Sequence, residues 1–532
     1  RTFTRDIEIA EDGSVFTSNS HFPSWMIEDG QPTLIRVTPG PSAAGKAKAA
    51  AAALYDRHCA SCHSNPATKA PSFATLGQMT ASRILQSLEF GRMQVQGASM
   101  SAEERFMVAS YLAAEGGELR DAWIAESACP VPRQLDIEVD SNDNWGLGVQ
   151  NRRGHSGTVA ISSANVGDLQ LKWSLAVPGA TEMRSQPVAA SGVLFLGTAN
   201  GNLLALDQDT GCVVWKFQAK SSIRSSLNLE RAADGTAVIF FADDLANVYA
   251  VSANDGALRW TRALRWFPTS VISGSLTYHD DRLYVPMSSF EVAIAGFDQY
   301  PCCRSHGGVA SLDAGSGEVV WEYRTTPHAR ATGKNSAGVA QWGPSGASIW
   351  TTPSIDAKRG VLYVGSGENT SHPATDSSDA VIALDLASGE RRWNFQALAG
   401  DVWNAACIQG GANCPADAGP DFDFGGGLTL AESADGRELL IAGQKSGEVF
   451  ALDPDQDGAL VWKSRLSMGT TNGGIHWGVA TDSERVYVTI ADPPRAIPGY
   501  VPNPGVFALH LDNGEVAWSL PVERGCELDP AD

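Results

Sequence analysis

Six segments of this chain repeat one pattern: ALDQDTGCVVW (205–215), AVSANDGALRW (250–260), SLDAGSGEVVW (311–321), ALDLASGERRW (383–393), ALDPDQDGALVW (451–462) and ALHLDNGEVAW (508–518). Each reads as a strand, an Asp/Gly turn and a second strand ending in Trp. Apolar strands such as GVLFLGTA (192–199) and GVLYVGSG (360–367) precede them, so the unit is a four-stranded sheet. One such sheet cannot bury both faces, whereas copies stacked around an axis can. The terminal Trp of each unit then fills the space between neighbouring sheets and serves packing, not chemistry. A lone strand, VAISSANVGDLQLKWSLAV (159–177), precedes the first unit and is expected to complete the last sheet, since a closed ring exposes no strand edge. The tail after Trp518, SLPVERGCELDPAD, is too short to supply the strands it would join. Either the chain is truncated or the ring closes in an unusual way.

A second signal lies near the start, in YDRHCASCHSNP (55–66). Thiols at the spacing of Cys59 and Cys62 can bond the two vinyl groups of one haem, and His63 then offers a nitrogen to the iron. A zinc site would need about two further Cys or His ligands, and only His58 is near. The Ala-rich stretch before the motif has strong helix propensity. A second helix is expected from Ser101, where Glu104 three residues on completes a capping box.

The chain has 532 residues, 43% of them hydrophobic, which is enough for more than one core. A formal net charge of -21 argues against a nucleic-acid partner and for a soluble protein. No apolar run reaches the roughly 18 residues of a membrane span, and Arg1 follows no signal-like segment, so any signal peptide is removed or lies outside the sequence. Cys407 and Cys414 bracket a Gly-rich loop and can close as a disulfide if their Cα atoms approach within about 7 Å. The adjacent Cys302 and Cys303 can bond each other or pair elsewhere. Covalent haem and a disulfide favour an oxidising compartment, read here as the bacterial periplasm. The organisation expected is an extension (1–45), a haem module (46–120), a linker (121–150) and the repeat domain (151–532).

Two resemblances sharpen these readings. The order of CxxCH helix, Pro71 loop, methionine loop and last helix is similar to a class I cytochrome c, which implies Met93 as the second axial ligand. A haem c module ahead of ALDxxTGxxxW units resembles the quinohaemoprotein alcohol dehydrogenases, in the domain order of the polyvinyl alcohol dehydrogenases. That implies a mainly β fold, an eight-bladed quinoprotein-type β-propeller with six full blade units visible here, behind an α-helical cytochrome c domain. It also implies pyrroloquinoline quinone (PQQ) and calcium beside the haem c.

Site residues follow by match to the family's segments. SIWTTPSID implies Trp350 as the floor under PQQ with Ser348 beside it. SSIRSSLN implies Arg224 as partner of a PQQ carboxylate, and Arg184 adds positive charge where several relatives have Glu. Ser273, His476 and Trp477 fall at further cofactor contacts. MSSFEVA implies Glu291 as a calcium ligand, with Ser288, Ser289 and Phe290 next to the cofactor. YVGSGENTSHP puts Glu368 on the family's Asn ligand, with Asn369 next. Lys445 matches a cation near the quinone oxygens. The family's base, an Asp after Trp, is matched by Asn404, which cannot accept a proton. Asp401, three residues earlier, is therefore the expected base and a further calcium neighbour.

The resemblance implies oxidation of secondary alcohols, of polyvinyl alcohol foremost, with electrons leaving through the haem to an external cytochrome c. A PQQ enzyme of small alcohols or sugars is the alternative, as is a non-enzymatic haem-bearing propeller.

Overall fold

The repeats fold into antiparallel sheets, five of them four-stranded with strands pairing in chain order, while in the third both Ser270–Val271 and Thr277–His279 pair with Arg282–Ser289. In the first sheet the strands are Val188–Ala190, Val193–Gly197, Asn202–Asp207 and Val213–Gln218. Five more sheets follow, the last ending in Gly505–His510 and Val516–Pro521. This is a computed structural model. It describes residues 48–522 except 66, 69, 78, 80, 90–92, 94, 95, 98, 116–122, 140–144, 155–163, 178–182 and 493–498, together with backbone elements within 4–47.

The repeat's Trp and Gly act on each other across sheets. The indoles of Trp215, Trp260, Trp321, Trp393 and Trp462 lie against Gly256, Gly317, Gly389, Gly458 and Gly514 of the following sheet. A Cβ on any of these glycines would collide with the ring, and their φ values of +70° to +75° already favour glycine. Trp260 Nε1 donates to Ala314 O at 3.0 Å and Trp462 Nε1 to Leu511 O at 2.9 Å, so the polar edge of the ring is satisfied as well.

The expected lone strand takes a different form. Among its described residues, 164–177, there is no ladder, only a turn at Val166–Asp168 and extended chain. Trp173 still docks on Gly211 and donates to Gln208 O at 3.0 Å, as if it ended a preceding sheet. Leu171 and Leu169 stay exposed, so this segment gains its order from the Trp contact instead of from strand pairing.

Residues 145–153 cross between sheets. Val149 O accepts from Ile355 N at 2.7 Å, Gln150 O from Leu430 N at 3.1 Å and Arg152 O from Thr481 N at 3.0 Å. These donors lie in the first strands of sheets four, five and six. The buried Asn151 side chain adds bonds to Thr352 O and Leu428 O. A segment touching three first strands lies where those strands converge. Cys129 bonds Cys212 across 83 residues, a pairing the sequence reading did not anticipate, and pins the linker to the first sheet. Cys407–Cys414 closes as expected.

The haem module packs helix Pro41–His58 on Ala102–Glu115 around Leu54, Tyr55, Ile84, Leu88, Val108 and Leu112. The capping box forms: Glu104 Oε2 accepts from Ser101 N at 2.7 Å and Ser101 Oγ from Glu104 N at 3.1 Å. Among the described residues no helix is long and apolar enough to cross a membrane.

One buried acid in the second sheet gives a stability prediction. Glu230, in Asn228–Arg231, is 4% exposed, and burial pushes its carboxyl up to about 8. The folded chain therefore keeps this proton while the unfolded chain sheds it, and stability falls as pH rises from the ordinary carboxylate range through 8. Glu230→Gln is expected to exceed the wild type by about 5 kcal/mol at pH 9 and to match it near pH 4. Denaturant midpoints at both pH values check this, and a gap that does not widen with pH refutes it.

Candidate active site

Cys59 and Cys62 are free thiols, and His63 is nearly buried behind them. His63 Nδ1 lies 2.7 Å from Pro71 O. A carbonyl only accepts, so Nδ1 carries the proton and the Nε2 lone pair is left for a metal. Met93 is half-buried against the core that also contacts Cys59. These residues suit a covalently held haem.

In the propeller, chemistry gathers on one face, where loops enter the first strands and the second and third strands turn. Trp350 precedes Ser354–Asp356, Asp423 precedes Thr429–Glu432, and Lys445 sits in the turn between Glu438–Gly443 and Glu448–Asp453. Asp423 Oδ2 accepts from Trp350 Nε1 and from Lys445 Nζ, each at 2.9 Å. Lys445 Nζ also reaches Asp421 Oδ1 at 2.9 Å and lies 5.4 Å from the Trp350 ring centre. Glu368 N donates to Asp423 Oδ1 at 3.1 Å. Carboxylate oxygens of Glu368, Asp421 and Asp423 all lie within 4.8 Å of one another, and all three residues are buried.

The electrostatics are strongly coupled. Burial alone would push the Asp423 carboxyl up, but Lys445 and the bonds with Glu368 outweigh it and hold it below the usual carboxylate range. Glu368 is pushed up by burial and by the charges of Asp423 and Asp421. The His476 ring lies tilted 5.4 Å from Trp350, and burial with the cations Lys445, Arg224 and Arg184 lowers it to about 4, so it is neutral near pH 7.

Above Trp350 opens a cavity of about 300 Å³. Arg184, Arg224 and Ser273 line it, as do Gly425, Gly426 and Gly427. A Cβ on Gly425 would stand 2.7 Å from the Trp350 ring, so bare backbone is what leaves the floor open. A flat aromatic floor, two guanidinium groups and a wall without side chains fit a planar polyacid such as PQQ. Three buried carboxyls against one lysine leave an excess of oxygen donors that suits a hard cation such as calcium.

Several expected site residues lie elsewhere. Asp401 is buried, but it faces Asp379 and accepts from Phe422 N at 3.1 Å, behind the site. Asn404 caps the turn Ala405–Ile408 and donates to Thr370 O and Asn413 O, a structural role. Asn369 is consumed by Ser345 O and by the Thr375 amide. Glu291 is buried but accepts from Tyr300 OH at 2.8 Å and from the amides of Arg304 and Ser305, so it anchors that loop apart from the carboxyl group of three. Ser289 bonds Thr269 and the Glu291 amide, Ser288 pairs with Val271 in the ladder, and the Phe290 amide bonds Thr269 O. Ser348 holds Gly367 N through its carbonyl. None of these four residues lines the cavity. Cys302 and Cys303 bond each other beside Tyr300.

Asp421 and Asp423 were missed. Their signal was DFDFGGG (421–427), two acids one residue apart before three glycines. The long loop after Trp403 separates it from the Trp-Asn pair that drew attention instead.

Residues 144–261 and 290–407 match the family model for the glucose/ethanol/alcohol dehydrogenase β-propeller domain with PQQ, and 46–112 match that for cbb3-type cytochrome c oxidase subunit III. The chain is similar to a polyvinylalcohol dehydrogenase of Pseudomonas sp., 35% identical over 89% of this chain and 76% of the relative. It is also similar to one of Sphingopyxis sp. strain 113P3, 34% identical over 88% and 74%. In fold it resembles the quinohemoprotein alcohol dehydrogenase of Comamonas testosteroni, with a TM-score of 0.55 and 16% identity over 75% of this chain and 68% of that one.

Proposed function

The chain belongs to the polyvinylalcohol dehydrogenases, PQQ-dependent alcohol dehydrogenases with a cytochrome c domain, and on that premise we propose that it oxidises the secondary alcohol groups of polyvinyl alcohol to ketones. Electrons leave through its own haem c to an external cytochrome c. The observation that carries this reading is the contact of Asp423 with both Trp350 and Lys445 at the base of a cation-lined cavity.

Arg184 and Arg224 would hold the carboxylates of PQQ over Trp350, and Glu368, Asp421 and Asp423 would hold a calcium ion. When bound, the quinone supplies a two-electron acceptor and the ion a Lewis acid. The chain's own part is proton transfer and position. Asp423, kept ionised by Lys445, takes the hydroxyl proton of the alcohol. The Trp350 bond fixes the carboxylate's orientation. Neutral His476, packed on the same indole, keeps water from that side without adding charge. His63 and Met93 would hold the haem iron. Three disulfides support an oxidising compartment, the periplasm.

Adding PQQ and calcium to the cofactor-free protein is expected to produce dye-linked oxidation of secondary alcohols, with reduction of the haem in the same mixture. No activity with both present would overturn the proposal.

A further inference from the structure

Trp477 is 52% exposed, yet it lines the cavity. Large apolar groups left in water in one place mark a surface meant to be covered. Its setting is rigid. The His476 ring packs 4.7 Å from the indole and lies tilted 5.4 Å from Trp350. The Trp477 carbonyl accepts from the Arg153 guanidinium, and that same guanidinium lies 4.7 Å over the ring of Trp145, a second cavity-lining indole. One arginine thus ties together two indoles of the cavity wall, one buried in part and one open to solvent. Met183, 44% exposed, directly precedes the cavity residue Arg184 and adds apolar surface.

Beside its indoles the cavity carries polar and cationic groups, Arg184, Arg224 and Ser273 among them. An exposed indole beside such a lining matches a ligand with one apolar and one hydroxylated edge. A chain of alternating CH2 and CHOH groups has that character. A short alcohol would cover less of the exposed ring than such a chain.

Resting on the alcohol oxidation proposed above, we infer that Trp477 is the platform for an extended secondary-alcohol chain, and so a specificity-determining residue between polymer and small alcohol. Methylenes on either side of the reacting carbon lie on the indole while one hydroxyl enters toward Asp423.

The test compares wild type, Trp477→Ala and Trp477→Phe, each loaded with PQQ and calcium, on polyvinyl alcohol and on 2,4-pentanediol. PQQ retention is measured alongside. Trp477→Ala is expected to lose roughly ten-fold in kcat/KM on the polymer, the worth of burying about two methylenes. The loss falls on KM. Per PQQ bound, the diol loses several-fold less than the polymer, and Trp477→Phe recovers most of the polymer rate. Equal losses per bound PQQ on both substrates, or an unchanged polymer rate, would each overturn the platform. A wild type active on the diol but not on the polymer overturns it too while leaving alcohol oxidation standing. A wild type active on neither fails the proposed function first, and this inference with it.

Discussion

Asp423→Asn is expected to lower dye-linked alcohol oxidation by about 10²–10⁴-fold, the contribution of a positioned general base. An asparagine oxygen in the Oδ2 place still accepts from Trp350 Nε1 and Lys445 Nζ, but the amide cannot take a proton, and its nitrogen would face the Glu368 amide. Asp401→Asn is the informative control. Its amide oxygen can still accept from Phe422 N, so the turn carrying Asp421 and Asp423 stays in place and the loss should remain under ten-fold. The acid side of the pH profile follows from the sign of the shift. Lys445 holds the Asp423 carboxyl below the usual range, so the base stays ionised on acidification past the point where an ordinary carboxylate takes its proton. Rates of both variants at fixed PQQ and haem content decide the matter. An active Asp423→Asn beside an inactive Asp401→Asn would return the base to the earlier position.

The second large effect concerns stability without metal. Lys445 is 6% exposed and stands between Asp421 and Asp423 with Glu368 close by. Lys445→Met removes the cation and leaves the carboxyls buried and uncompensated, a loss of about 3–5 kcal/mol for a buried pair broken on one side. Calcium offers the same carboxyls a replacement charge. The variant is therefore expected to unfold at clearly lower denaturant in a chelator, and to recover most of the loss when calcium is added. The wild type, with its own counter-ion, should respond less. A variant as stable as wild type in chelator, or indifferent to calcium, would show that these acids do not form a cation site.

Much of the site was readable because its segments sit beside repeat units whose register is local. Trp350, Arg184, Arg224, Ser273, Glu368, Lys445, His476 and Trp477 were placed from segments that enter or turn within a sheet, and all eight gather around one cavity or its carboxyl cluster. The residues set apart from it share a setting. Asp401, Asn404 and Glu291 lie in the segments 291–307 and 401–420, outside the propeller ladders, and Asn369 bridges to the second of these at Val402. A count of residues from a nearby Trp carries no register there. Asn413 shows how such loops are held: its amide bonds Ala295 O and Phe297 O of one insertion and takes bonds from Asn335 and Gln341 of another.

By itself the sequence determined the sheets, the packing of their Trp residues between neighbours, the haem attachment and the capping box, because each depends on residues a few positions apart or on a period repeated along the chain. Only the tertiary structure decided which acids share Lys445, that Cys129 reaches Cys212, and that residues 145–153 span three first strands. Those contacts join residues brought together by the convergence of separate sheets, and no local pattern encodes which loop reaches which.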